Sequence, residues 1–242
     1  MTPPDVRQVD RLRCAVCGAL LIEGYYYLHG QQERYCGGCM RDAPRCASCG
    51  RPLGEQRWTL HDGRLQCARC HSTAVYDAAA ARQLFDETVG AVVAQLGLTL
   101  RVGVAFRLVD LPTLSGLQRP SGPADQEQRP MGLYVRDGHT RAIYVLYALP
   151  KIMFRTVVAH EYAHAWQSEN CPIMEPKSVV EGFAEWVAYR HLQTIGAVKI
   201  AEQLRGPGQP YQAYLEQMLT IEMRDGQRAV IDTMLRAGRG TL

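Results

Sequence analysis

No apolar run in this 242-residue chain is long enough to cross a bilayer: the stretch AIYVLYAL, at 142–149, falls far short of the roughly 20 residues that a spanning helix needs. The first residues, MTPPDVRQVDRLR, are charged and lack an apolar segment, so no export signal is expected there. Charge of one sign is scarce as well. The formal net charge is +3, too small to suggest a surface built for nucleic acid or an anionic membrane. Low-complexity tracts are missing, and beyond residue 70 cysteine is nearly absent, with Cys171 as the single case. What remains is a chain with 47% hydrophobic residues, able to bury a core in one or two domains, and expected in the cytoplasm.

The other eight cysteines crowd into residues 14–70 as four CxxC pairs: Cys14 and Cys17, Cys36 and Cys39, Cys46 and Cys49, Cys67 and Cys70. In a reducing compartment such pairs are metal ligands rather than disulfides. Each CxxC turn offers two thiolates to a tetrahedral Zn2+, and a loop of 17 or 18 residues brings in a second pair. Sequential grouping assigns Cys14, Cys17, Cys36 and Cys39 to one ion and Cys46, Cys49, Cys67 and Cys70 to another; a crossed grouping would use the same ligands. His29, His61 and His71 lie nearby and are expected at the surface. Residues 1–72 hold ten Arg against seven Asp or Glu, and two four-thiolate zinc centres would bring the module close to neutral. A nucleic-acid partner is therefore not expected, and a protein partner is.

Near residue 73 the pattern changes from short, Gly- and Pro-punctuated segments to long elements. In DAAAARQLFDETVGAVVAQLG the apolar positions Leu84, Phe85, Val89, Val92, Val93 and Leu96 recur at three- and four-residue steps, which predicts a helix stopped by Gly97. TLRVGVAFRLV and AIYVLYAL predict strands, and the intervening segment through Gly132 predicts a loop, with residues 112–131 a candidate lid. Helices are predicted over roughly 151–168, 177–195, 209–224 and 226–237. The domains expected are thus 1–72, a double zinc-binding module, and 73–242, an α+β domain.

Within the first of these four helices, VVAHEYAHAW carries His160, Glu161 and His164. Two histidines four apart share one helix face and can reach one metal, while Glu161, rotated by about 100°, can address a water without binding the ion. Chance produces such a pattern in roughly one chain in a hundred of this composition. The following helix, SVVEGFAEWVAYRHL, adds Glu181 and Glu185 between apolar neighbours. A catalytic zinc takes three protein ligands, and Glu181 is the natural third, with Glu185 placed to accept the free N–H of a ligating histidine. Trp166 and Trp186 are expected in the core, and Cys171 as a small buried residue.

The pairing of HExxH with EGFAE resembles the gluzincin metallopeptidases, a resemblance that implies Glu181 as ligand and Glu185 as its supporting neighbour. The cysteine module resembles a LIM domain, although Cys36 stands where those domains usually have histidine and six residues separate Cys39 from Cys46. Both modules together are similar to the LIM-containing peptidases known from plants as ubiquitin-activated regulators of organ growth, and to their bacterial relatives. PRCASCGRPLGEQRWTLHDGRLQCARC, AIYVLYALPKIMFRTVVAHEYAHAW and VVEGFAEWVAYRHL carry that similarity. It implies a zincin-like peptidase domain behind a LIM-like double zinc module, with one catalytic and two structural Zn2+. Only thirteen residues precede Cys14 here, so the ubiquitin-interacting motifs of the plant proteins are not expected.

The reaction expected is endopeptidase cleavage by metal-activated water with Glu161 as general base, on a protein or peptide substrate, the finger serving substrate binding, partner binding or regulation. Tyr189, His191, Tyr211 and Tyr214 are candidate donors to the oxyanion. The strand at Ile143–Leu149 is a candidate edge for an extended substrate. The alternatives are an interaction scaffold that keeps an inactive or autoinhibited peptidase fold, and a zinc hydrolase acting on another bond.

Overall fold

The computed structural model describes residues 13–22, 24–118, 130–138, 140–174 and 176–240. Most of the candidate lid, 119–129, lies outside the described residues. The chain divides into two compact units, Met1–Ala74 and Val75–Leu242.

The first unit is one plan used twice. In each half a CxxC turn closes on a glycine with φ near +70°, Gly18 or Gly50, a conformation that favours glycine because it has no Cβ. The turn is sealed by hydrogen bonds from the Gly18 N–H to the Cys14 carbonyl and from the Gly50 N–H to the Cys46 carbonyl, each 2.9 Å. An isolated bridge (Arg13 with Leu20, Arg45 with Pro52) holds the returning chain. The second CxxC pair of each half opens a short helix: α1 (Gly37–Asp42) is capped by Cys36 and α2 (Ala68–Ser72) by Cys67. The second half also contains a two-residue ladder, β1 (Trp58–Thr59) against β2 (Leu65–Gln66). Little apolar mass is buried. The two small cores are Cys14, Leu21 and Tyr35 in one half and Cys46, Leu53, Cys67 and Cys70 in the other, so the sulfur atoms are themselves much of the core.

The second unit is mixed α and β. Helix α3 (Ala78–Leu96) begins where the Asp77 side chain accepts from the Ala80 amide and ends at Gly97, left-handed at φ +69°, as its sequence predicts. A three-stranded sheet follows, ordered β3 (Ala105–Val109), β5 (Thr140–Leu146), β4 (Gly132–Asp137), with β3 parallel and β4 antiparallel to β5. The short helix α4 (Leu111–Leu117) leaves β3. Five helices complete the unit: α5 (Lys151–Asn170), α6 (Lys177–Thr194), α7 (Val198–Leu204), α8 (Gln212–Asp225) and α9 (Gln227–Ala237).

Three sequence expectations need correction. Strand β3 is shorter than TLRVGVAFRLV suggests, because the amides of Arg101 and Val102 donate to the Glu169 carboxylate, at 2.8 and 3.0 Å, rather than to a neighbouring strand. Helix α4 occupies the start of the segment 111–132 that was expected to be a loop, and strand β4 begins at its last residue, Gly132. Strand β5 is central, paired on both sides, so it has no free edge to offer a substrate; the antiparallel edge belongs to β4.

Helices α5 and α6 lie side by side in the core. Around α6 nearly every position is buried (Val179, Val180, Gly182, Phe183, Ala184, Trp186, Val187, Ala188), and the stripe left for Glu181 and Glu185 faces α5. These carboxylates are not solvent-facing charges: their side chains are 17% and 13% exposed. Trp166 and Phe183 stack at 5.5 Å, and Trp186 is fully buried with its indole N–H on Glu222, so both tryptophans are core residues.

Candidate metal centres and the cleft beside them

The two cysteine clusters follow from the duplicated turns. Ligand-capable atoms of Cys14, Cys17, Cys36 and Cys39 gather in one group, and those of Cys46, Cys49, Cys67 and Cys70 in the other, in the sequential rather than the crossed grouping. The Cys17–Cys36 and Cys49–Cys67 Sγ separations are both 3.8 Å. A tetrahedral ion with bonds near 2.3 Å requires about that sulfur spacing, roughly 3.8 Å. Electrostatics point the same way. Burial acts against the Cys14 thiolate, but the amides of Cys17, Cys36 and Val16 outweigh it and bring the thiol down to about 6. Hydrogen bonds from Cys49 and Cys70, against burial, likewise hold Cys46 far below its ordinary value. Their neighbours are driven the other way: burial and adjacent sulfurs raise Cys39, and Cys46 and Cys49 raise Cys70. Four sulfurs this close cannot all ionise alone, and a divalent cation removes that conflict. His71 stacks on Trp58 at 4.8 Å and joins neither cluster.

A third group gathers His160, His164 and Glu181. The two Nε2 atoms are 3.1 Å apart, and Glu181 Oε2 lies 3.5 Å from His160 Nε2 and 3.6 Å from that of His164. Ligands at about 2.05 Å around a tetrahedral ion stand about 3.3 Å from one another, so this triangle fits zinc. Each histidine has its other nitrogen engaged. His160 Nδ1 is 3.1 Å from Glu185 Oε2, the contact that the sequence suggested. His164 Nδ1 is 2.8 Å from Gln167 Oε1, which it did not. Gln167 is buried, and its Nε2 donates to the Val180 carbonyl at 2.8 Å, so its oxygen is the atom left to accept from His164. Both contacts place the ring proton on Nδ1 and leave Nε2 free for a metal. Without a cation the group is a compact ion pair. Burial disfavours charge on His160, yet Glu181 and Glu185 outweigh it and raise His160 to about 10. In the same way His160 and His164 overcome burial to hold Glu181 well below the carboxylate range.

Glu161 stays outside the triangle and accepts from the backbone N–H of Tyr134 on β4, at 2.8 Å. That approach depends on Gly132, since a Cβ there would come within 2.3 Å of Val157 and 3.0 Å of Glu161. On the other side, Gly182 of the EGFAE segment lets α8 close in, because a Cβ would lie 2.8 Å from the Tyr214 carbonyl oxygen. Tyr211, the N-cap of α8, is thereby brought to the site, its ring stacked 5.9 Å from that of His160, with Tyr214 stacked behind it at 6.2 Å.

Two of the four oxyanion candidates are placed elsewhere. Tyr189 donates to Glu202 and is bonded by Gln193, and His191 is fully buried with neither ring nitrogen bonded among the described residues. Cys171 is buried, and burial lifts its thiol to about 11; a Cβ on Gly238 would collide with it. Beside His164 and Glu181 opens a cleft of about 470 Å3, walled in part by Tyr134 and Cys171. Gly132, Tyr134 and Gln167 were missed by sequence reading. The alternation in GLYVRD was the available signal for β4, whereas a glutamine three residues after a histidine carries no signal of its own.

Comparison with known proteins finds related sequences. The chain is 28% identical to Protein DA1-related 1 of Arabidopsis thaliana, with 67% of this chain and 36% of that protein covered. Protein DA1 of the same plant is 23% identical, over 86% of this chain and 48% of its own length. The chain thus spans about half or less of the length of these curated relatives. No solved structure matches it. Residues 123–224 match the family described as DA1-like, Protein DA1, and so the part of the chain that carries β4, the histidine helix and the glutamate helix is DA1-like in sequence.

Proposed function

We propose that the chain is a zinc-dependent endopeptidase of the gluzincin type, with His160, His164 and Glu181 as metal ligands, Glu161 as general base and Glu185 as the support of His160. The observation that carries this reading is the triangle of 3.1, 3.5 and 3.6 Å between the three ligand atoms, with a second carboxylate, Glu161, held outside it by the Tyr134 amide. A zinc ion held there supplies Lewis acidity, acidifying water and polarising a carbonyl. The Tyr134 amide fixes the Glu161 carboxylate, which takes the proton of the attacking water and delivers it to the leaving amine. The outer edge of β4, which pairs with no strand among the described residues, receives an extended peptide by strand addition, replacing β5 in the role that sequence reading gave it. The Tyr211 hydroxyl is the donor to the oxyanion, since Tyr211 alone of the four candidates stacks on a ligating ring.

Two further Zn2+ ions would occupy the cysteine clusters, which makes the first unit a LIM-like module for binding a substrate or protein partner or for regulation. Paired thiolate ligands suit a reducing compartment, and the cytoplasm is the setting proposed. No helix among the described residues is long and apolar enough to cross a membrane.

The test is metal analysis of the whole chain combined with Glu161→Gln. Three zinc ions per chain are expected in both proteins, with proteolysis reduced about 10²- to 10⁴-fold or more in the variant. A chain that takes up only the two cluster ions after reconstitution overturns the catalytic reading. Three ions with no cleavage by the wild type favour an interaction scaffold.

A further inference from the structure

The cleft beside His164 and Glu181 has a chemical character that the metal site does not explain. Pro172, Met174 and Val180 make part of its wall apolar, and Arg136 is the one cation among its described lining residues. Arg136 lies on β4 two residues beyond Tyr134, on the same side of the strand and about 7 Å along it. Its Nη1 is pinned by the Ser168 carbonyl at 2.8 Å and the Ser168 hydroxyl at 3.2 Å, in the last turn of α5. That turn has unsatisfied carbonyls, so a cation is well placed there. No carboxylate among the described residues pairs with Arg136, unlike Arg141 and Arg155, whose guanidiniums meet Glu169 and Glu87 at 2.6 Å. The guanidinium is thus held at the cleft wall through one nitrogen, with further N–H donors unspent.

We propose that Arg136 determines specificity: it selects peptides carrying a carboxylate one or two residues from the scissile bond, as an Asp or Glu side chain or as the chain terminus. The inference rests on the peptidase reading above. A substrate strand laid along β4 repeats at the same spacing as β4 itself, so a side chain one or two positions from the bond over the metal reaches Arg136. Planar guanidinium donors suit a carboxylate better than any other peptide group. With a metal offsetting Glu181, Arg136 gives that end of the cleft a positive charge and disfavours Lys or Arg there.

The experiment uses the zinc-loaded full chain and a peptide library, followed by matched peptides in two series. One series has Glu or Gln at the enriched position and an amidated terminus; the other has Gln within and a free or amidated terminus. The wild type is expected to favour the carboxylate about tenfold in kcat/KM, chiefly through KM, in one series, which identifies the source. Arg136→Gln is expected to bring that ratio close to one, and Arg136→Glu to turn the preference toward Lys. Reading ratios within each variant keeps the result independent of any general loss of activity from the missing bonds to Ser168. Cleavage with no carboxylate preference, or a preference that survives Arg136→Gln, overturns this inference and leaves the peptidase reading standing. Cleavage of no peptide by a three-zinc chain overturns both.

Discussion

The two units of this chain place their candidate metal ligands in opposite relations to their cores. In Met1–Ala74 the candidate ligands are much of the core: Cys14, Cys46, Cys67 and Cys70 are among its buried side chains, beside Leu21, Tyr35 and Leu53. In Val75–Leu242 the candidate ligands His160, His164 and Glu181 are only partly buried, beside a large apolar cluster that includes Phe85, Phe154, Trp166, Phe183, Trp186 and Met218. Where the core is made of thiols, metal binding and folding are one event. Where the core is hydrocarbon, the fold exists first and the site is a feature placed on it.

Chelation separates the two cases most strongly. Removing zinc is expected to unfold the first unit, since structural sites of this kind contribute on the order of 10 kcal/mol, while amides of α3, α5 and α6 keep their exchange protection. Hydrogen exchange with and without a chelator reads both units at once; loss of protection in α5 and α6 would remove the contrast.

Next in size is the cost of charging the second core. Burial, with a smaller contribution from the Arg155 charge, lowers His191 to about 4 from an ordinary 6.5. The unfolded chain therefore binds a proton between those values that the folded chain does not, and stability falls as pH drops through that window. The loss is about 3 kcal/mol, complete near pH 4 and absent above pH 6.5. Denaturant unfolding of wild type against His191→Phe across pH 4–7 checks it: the difference between the two should change by that amount, and a constant difference would show a partnered or solvated histidine.

The join between core and site is finer. Gly182→Ala is expected to cost about 1–3 kcal/mol, because the new methyl meets the Tyr214 backbone, and to move Tyr211 off His160. Thermal unfolding together with zinc content tests this, with retained zinc and lowered stability as the expected pair. Smallest is Gln167→Leu, which leaves His164 without its partner and the Val180 carbonyl without its side-chain donor. Zinc affinity at the third site is expected to fall about tenfold, measured by competition with a chromogenic chelator, and Gln167→Glu to recover part of it.

How much was legible in the sequence varied with the kind of information each part carried. The helix from Ala78 to Leu96 was readable to its caps because Asp77 and Gly97 act locally. The histidine and glutamate helices were readable because apolar periodicity and ligand spacing agree over many residues. Strand β4 was hidden, since the alternation in GLYVRD spans only six residues beside a Pro- and Gly-rich segment. Helices α4 and α7 were missed for the same reason of length, each having seven residues.

By itself the sequence determined the residues able to bind metal and the elements that bear them, because CxxC and HExxH spacings act within one turn or one helix. Only the tertiary structure decided which strand offers an edge, which tyrosine reaches His160, and that a glutamine orients His164. Those depend on backbones meeting at Gly132 and Gly182, and no local pattern encodes a close approach between segments that the chain brings together only on folding.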